Sequence, residues 1–132
     1  MKVNNIRSIL SNKFHEAQAI MNKKEKVLNI VSQGIKATAS TPWAKKYKKD
    51  IELMGMIIAD YIKKDYPYLN QSTIVIAISA LLYIISPINK ITDKIPFLRD
   101  IDNIAVITFA LHAIREELKT YKLWLNTKNL RK

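Results

Sequence analysis

The feature that most constrains this chain is a segment without any charged residue, which extends from Tyr66 to Asn89. Within it, the 16 residues TIVIAISALLYIISPI, from Thr73 to Ile88, are apolar on every side of a helix. A helix that is hydrophobic all round lies either at the centre of a protein or in a membrane. Because about 20 apolar residues are needed to span a bilayer, the length favours a buried central helix, and a membrane-embedded helix is the alternative.

Further amphipathic helices are predicted around this segment, which gives an all-α fold of about five helices. Apolar residues recur at spacings of three and four, as on one face of a helix, within residues 3–21, 28–35, 47–62 and 104–125. The last repeat is the most regular and predicts one helix from about Asp100 to Asn126. Only two glycines and four prolines interrupt the 132 residues. We therefore expect a small bundle around the apolar fourth helix and a Pro-rich helical hairpin.

The charge of the chain favours an anionic partner. The formal net charge is +11, and its densest group lies in WAKKYKK, from Trp43 to Lys49. Lipid headgroups, nucleic acid or an acidic protein surface would suit such a group. The alternative is a solvated surface that Asp50 partly neutralises. We call the candidate contact residues the basic segment: Lys45, Lys46, Lys48 and Lys49.

The composition excludes several kinds of chemistry. There is no cysteine, so disulfides, zinc–thiolate sites and thiol nucleophiles are excluded. His15 and His112 are the only histidines, and no Ser-His-Asp signature, Gly-rich phosphate loop or metalloprotease motif occurs. We expect no enzymatic activity, no catalytic or metal-binding residue, no cofactor and no small-molecule substrate. Since the first residues lack a continuous apolar signal region, we expect a location in the cytoplasm or at the inner face of the cytoplasmic membrane.

Two prolines and three carboxylates follow the apolar segment in SPINKITDKIPFLRDID, residues 86–102. Proline ends a helix without leaving an N–H unpaired, and acid and amide side chains can accept backbone N–H bonds in the turn that follows. Asp100 or Asp102 is expected to cap the last helix. A hard cation bound to these oxygens is the alternative, although the interleaved basic residues would repel it. The predicted structural hairpin motif comprises Ser86, Pro87, Asn89, Asp93, Pro96, Asp100, Asp102 and Asn103.

The segment from Ala80 to Ile107 resembles the YkvA-like family of small helical domains, whose function is largely unassigned. The resemblance rests on an apolar helix followed by S-P, D-x-I-P and an acidic pair at fixed spacing, carried by Leu82, Tyr83, Ser86, Pro87, Ile91, Asp93, Ile95, Pro96, Asp102 and Ala105. Four positions depart from the family pattern: Asn89 and Asn103 replace Asp, Thr92 replaces Pro, and Arg99 replaces Gly. If the family acids bind a cation, this chain has lost that capacity; if they shape the hairpin, Asn can serve as well.

These observations predict one helical domain of residues 1–132, with an N-terminal helical pair in 1–40 and a YkvA-like region in 43–126. The resemblance also implies contact with membranes, where YkvA-like domains are often expected. We predict a non-enzymatic binding or accessory module that acts at an anionic membrane surface or on a protein partner; a small immunity or defence-type protein fits the size and charge. A basic nucleic-acid-binding protein is one alternative. Another is a small integral membrane protein with a helical hairpin, in which Tyr66, Tyr68 and Tyr83 would be interfacial aromatics.

Overall fold

The computed structural model describes residues 13–66, 68–85 and 96–130, with side chains throughout except in 96–102 and 129–130. Every regular element in these ranges is helical, which confirms the all-α prediction. The elements are α1 (residues 13–20), α2 (Lys24–Ser40), a 3₁₀ helix (Pro42–Tyr47), α3 (Lys48–Ile62), α4 (Gln71–Ile85), α5 (Pro96–Ala113) and α6 (Arg115–Leu130). The predicted number of about five is wrong, because the described residues form six α-helices.

The extra helix arises because the predicted helix 100–126 is two helices that meet at Ile114. Hydrogen bonds still pass through the junction: the N–H of Ile114 donates to the carbonyl of Ala110 at 3.3 Å, and the N–H of Leu118 donates to the carbonyl of Ile114 at 3.0 Å. The buried face also continues across it, from Ile107 through Ile114 to Tyr121. Kinks usually need proline or glycine, and neither occurs after Pro96, so nothing in the local sequence signals this junction.

The fourth helix, α4, owes its apolar sequence to burial against the other helices. It contacts α2, α3 and α5, and eleven of its 15 residues are buried. Ile74, Ile78 and Leu81 have no exposed surface, and burying each such side chain stabilises the fold by about 1.5–3 kcal/mol. The Pro-rich hairpin that was predicted beside this helix, residues 86–95, lies outside the described residues.

The two glycines permit close contacts between α2 and its neighbours. A methyl group added to Gly34 in α2 would lie 2.8 Å from Cδ2 and 3.2 Å from Cβ of Leu81 in α4. A methyl group added to Gly55 in α3 would lie 3.1 Å from side-chain atoms of Val31 and Ile35 in α2. The absence of a side chain at each position therefore brings the helices together.

The end of α3 is a turn in which Lys64 adopts a left-handed conformation, with φ of 67°. The N–H of Lys64 donates to the carbonyl of Tyr61 at 3.0 Å, and the N–H of Asp65 donates to the carbonyl of Asp60 at 2.9 Å. These two bonds form a Schellman motif, which satisfies the last carbonyls of a helix. The turn brings the next residue, Tyr66, back onto the protein, where only 3% of it remains exposed.

Candidate functional site

The basic segment lies where the 3₁₀ helix passes into α3. Lys45 and Lys46 belong to the last turn of the 3₁₀ helix, and Lys48 and Lys49 are the first two residues of α3. All four lysines are exposed. The ion pairs among the described side chains, Lys13–Glu16 and Arg115–Glu116, include none of them. Positive charge at a helix start opposes the helix dipole, so the positions of Lys48 and Lys49 do not favour folding.

Asp50 forms no ion pair with the basic segment in the part of the chain that the structure describes. Its side chain is exposed, like those of the four lysines. The aromatic residues of the segment are partly buried instead: Trp43 and Tyr47 pack against the core, and Ala44 between them has no exposed surface. The lysines are therefore held on a fixed piece of backbone whose apolar side chains point inward.

One residue of the predicted motif, Asn103, is directly bonded to Tyr83, which belongs to the family pattern. The hydroxyl of Tyr83 in α4 donates to Oδ1 of Asn103 in α5 at 2.6 Å. Tyr83 has no exposed surface and Asn103 is 3% exposed. Asn103 stands at a position where the family pattern has Asp. A neutral amide supplies the same acceptor oxygen, and it avoids the cost of burying a carboxylate charge.

Four residues of the predicted motif, Ser86, Pro87, Asn89 and Asp93, lie outside the described residues, and three others belong to α5. Pro96 is the first residue of α5, which starts four residues before the expected position, and proline suits a first helical position because its missing N–H would be unpaired there anyway. The helix therefore starts before Asp100 and Asp102, so the prediction that one of them is its N-cap is wrong.

Two tyrosines at the ends of the uncharged segment are not interfacial aromatics in this fold. Tyr66 and Tyr83 are buried within the protein, whereas Tyr68 is 75% exposed. Tyr66 belongs to an aromatic cluster that the sequence did not predict. Its ring centre lies 5.0 Å from that of Tyr121 and 4.8 Å from that of Trp124.

A carboxylate accepts a hydrogen bond from the aromatic cluster, and the tyrosine hydroxyl groups of the cluster are poor acids. The hydroxyl of Tyr121 donates to Oδ2 of Asp60 at 2.5 Å. Burial raises the pKa of Tyr121 above its usual 10.0, and the bond to Asp60, the charge of Asp60 and the nearby Tyr66 raise it further. Burial, followed by the influence of Tyr68, also raises the pKa of Tyr66. Both hydroxyls thus stay protonated at neutral pH, which suits a structural role.

The described ranges contain neither a membrane-spanning helix nor a cluster of metal-binding side chains. Across them, no helix combines the length and the apolarity that crossing a membrane requires. No three of their His, Asp or Glu side chains gather in a way that could hold a metal ion. The side chains of Asp93, Asp100 and Asp102, which the cation alternative invoked, lie outside the described ones.

Comparison with known proteins identifies the family. A family model described as "Protein of unknown function (DUF1232)" matches residues 73–109, which include the bonded pair Tyr83 and Asn103. Over 102 residues the chain is 31% identical to the "Uncharacterized membrane protein YkvA" of Bacillus subtilis (strain 168), and the match covers 77% of this chain and 96% of that protein. The chain belongs to the YkvA-like family. No solved structure matches it significantly.

The family match covers helices that contribute to the core of the fold. Residues 73–109 contain nearly all of α4 and most of α5. The basic segment and the Asp60–Tyr121 bond lie outside that range, at residues 45–49, 60 and 121. The family match therefore covers α4, α5 and the residues between them, whereas the basic segment lies on other elements.

Proposed function

We propose that this YkvA-like protein is a non-enzymatic binding module that acts at an anionic membrane surface, and that the basic segment makes the contact. The observation that carries the proposal is the set of four exposed lysines within five consecutive residues, without an ion pair among the described side chains. Two of them, Lys48 and Lys49, lie at the start of α3, where positive charge opposes the helix dipole. The basic segment is therefore in part unfavourable for folding, yet the buried residues beside it hold it in place. Both properties suit a contact with an anionic partner.

The energetics of such a contact are adequate. A lysine near an anionic membrane surface contributes about 1 kcal/mol, and the attraction decreases within a Debye length. Four lysines on one short segment would therefore bind acidic lipid measurably, and salt would weaken the binding. The name of the Bacillus subtilis relative, a membrane protein, supports the same location, and we propose the inner face of the cytoplasmic membrane.

Vesicle flotation tests the proposal. The wild type and a variant with Lys45, Lys46, Lys48 and Lys49 replaced by Gln would be floated with phosphatidylglycerol vesicles and with phosphatidylcholine vesicles, at low and high salt. We expect the wild type to bind only the anionic vesicles and the variant to bind them at least about tenfold more weakly. The matched control removes the same charge from another part of the protein. In it, Gln replaces four exposed lysines in or next to α2: Lys23, Lys24, Lys26 and Lys36.

The possible outcomes separate this function from its alternatives. Equal losses in the two variants would show that only net charge matters and would contradict a role of the basic segment. Binding to duplex DNA or RNA in a gel shift, without binding to anionic vesicles, would favour the nucleic-acid alternative. Absence of both would leave a protein partner, and the immunity-type role stays a prediction of that kind.

A further inference from the structure

A groove of about 400 Å³ lies beside the basic segment, between the start of α3 and the junction of α5 and α6. Its volume is in the range of small-molecule sites, about 300–1,000 Å³. Its walls combine apolar and cationic side chains. The residues used in the argument are Leu53, Leu111 and Leu118, which are apolar, and Arg115, Lys119 and Lys122, which are cationic.

The cationic residues of the groove form one row on α6. Arg115, Lys119 and Lys122 are separated by four and three positions, so they lie on the same face of the helix. All three are exposed. Arg115 approaches Glu116 at 3.7 Å, but the side chains are 63% and 74% exposed, and such a surface pair contributes little. Across the groove stands one carboxylate, that of Asp50, so positive charge is in excess.

The apolar residues distinguish this groove from a simple anion site. Leu118 is buried, and Leu53 and Leu111 are half-buried, so their remaining surface faces the groove. An inorganic anion would meet the cations and leave this surface in contact with water. A ligand with an anionic head and an apolar chain would cover both, because burying apolar surface is itself favourable.

The groove is continuous with the basic segment. Tyr47 follows Lys46 in the segment and also lines the groove. The hydroxyl of Thr108 in α5 donates to the hydroxyl of Tyr47 at 3.3 Å, and Nζ of Lys46 lies 5.8 Å from the centre of the Tyr47 ring. A lipid that enters the groove would therefore come from the surface to which the lysines are proposed to bind.

We propose that this groove binds a single anionic phospholipid, with the phosphate on the row of Arg115, Lys119 and Lys122 and the start of an acyl chain on the three leucines. This inference rests on the proposed function, because it assigns the membrane surface as the source of the ligand. It adds a specific site to a contact that the basic segment alone would make without choosing a lipid.

Calorimetry with dihexanoyl phosphatidic acid below its micelle concentration tests the groove without any membrane surface. We expect saturable binding with one molecule per chain. Replacing Lys119 and Lys122 by Gln should weaken this binding at least about tenfold, and Leu111→Ser should also weaken it. Replacing Lys23 and Lys24 by Gln is the matched control, removes the same charge from α2 and its N-terminal end, and should leave the binding unchanged.

Each outcome bears on the site. Absence of saturable binding, or binding of dihexanoyl phosphatidylcholine with equal affinity, would overturn the proposal. Inorganic phosphate that binds as tightly as the lipid would also overturn it, because the leucines would then contribute nothing. Binding of the short-chain lipid by a protein that fails to bind anionic vesicles would support the groove and contradict the membrane-surface function, so the two failures are distinguishable.

Discussion

Tyr121 in α6 donates a hydrogen bond of 2.5 Å to Asp60 in α3. The main-chain carbonyl of Asp60 also accepts the N–H groups of Asp65 and Tyr66, at 2.9 and 3.1 Å. Asp60 therefore joins three parts of the fold: its own helix, the turn after that helix, and α6. Because the turn places Tyr66 against Tyr121, with ring centres 5.0 Å apart, the aromatic cluster depends on this residue at two points.

The first prediction concerns the Asp60–Tyr121 bond. Tyr121→Phe removes the donor and should lower the free energy of unfolding by about 1–2 kcal/mol. This value is at the lower end of the range for hydrogen bonds to charged groups, because Asp60 is partly exposed to water. Asp60→Ala should cost a similar amount. Urea unfolding of both single variants and the double variant measures the coupling. Losses that simply add up would show that the bond contributes nothing.

The second prediction is a loss of stability at alkaline pH. The pKa of Tyr121 and that of Tyr66 are raised in the folded protein above the usual 10.0, so above pH 10 the unfolded chain releases these protons before the folded protein does. Stability is therefore complete below pH 10 and should decrease as pH rises, by at most about 1.4 kcal/mol per pH unit for each tyrosine. Urea unfolding between neutral pH and pH 11 measures this slope. Tyr121→Phe should make the slope shallower, and an unchanged slope would contradict the assignment to Tyr121.

The sequence predicted the elements whose signals are local. Apolar spacing predicted α2 and α3, and the uncharged apolar segment predicted α4. The start of α4 is also local: Oδ1 of Asn70 accepts the N–H of Thr73 at 3.2 Å, which is a helix N-cap. The junction at Ile114 was missed because helical hydrogen bonds and the buried face continue through it, so it leaves no trace in the spacing. The start of α5 at Pro96 was missed because the proline was assigned to the hairpin rather than to a first helical turn.

Part of the candidate site was predictable because its sequence signal is also local. The exposed lysines are adjacent in sequence, so their grouping could be read directly. Asp60 and Tyr121 are 61 positions apart, and no local pattern relates a single aspartate in one helix to a tyrosine in another. The groove beside the basic segment likewise requires α3, α5 and α6 to be packed, so its cations on α6 looked like an ordinary solvated face.

The third prediction concerns Lys64, which adopts φ of 67° at the end of α3. Left-handed backbone costs about 1 kcal/mol for a residue with a Cβ and little for glycine. Lys64→Gly should therefore raise the free energy of unfolding by about 0.5–1 kcal/mol, measured by urea unfolding. Lys63→Gly is the matched control, because Lys63 precedes Lys64 and has an ordinary φ of −79°. This substitution should destabilise the protein. A loss with Lys64→Gly would contradict the Schellman turn.

The fourth prediction concerns the buried bond between Tyr83 and Asn103, which lies within the family match. Tyr83→Phe leaves Oδ1 of Asn103 without this donor in a dry environment, and such loss costs about 1–3 kcal/mol. Asn103→Asp should be tolerated better at acidic pH than at neutral pH. A buried carboxyl is favoured in its protonated form, and holding the proton costs free energy at neutral pH. Thermal unfolding at the two pH values measures this. A variant whose stability relative to wild type is the same at both would show that position 103 can hold a charge.

The fifth prediction uses the two glycines as a matched pair. Replacing glycine by alanine inside a helix normally stabilises by about 0.5–1 kcal/mol. At Gly34 the new methyl group would meet Cδ2 of Leu81 at 2.8 Å and Cβ at 3.2 Å, and Leu81 has no exposed surface into which it could move. Overpacking of this kind costs about 1–3 kcal/mol, so Gly34→Ala should be destabilising overall.

At Gly55 the same change meets only the ends of the Val31 and Ile35 side chains, at 3.1 Å. Ile35 is half-buried, so its terminal methyl can yield by a few tenths of an ångström. Val31 is buried, and the helical gain offsets the contact with its methyl group. Gly55→Ala should therefore change the free energy of unfolding by less than about 1 kcal/mol. Urea unfolding compares the two variants. Combining Gly34→Ala with Leu81→Ala should cost less than the sum of the single losses, because the clash disappears with the leucine; strict additivity would place the origin of the Gly34 effect elsewhere than in the contact between α2 and α4.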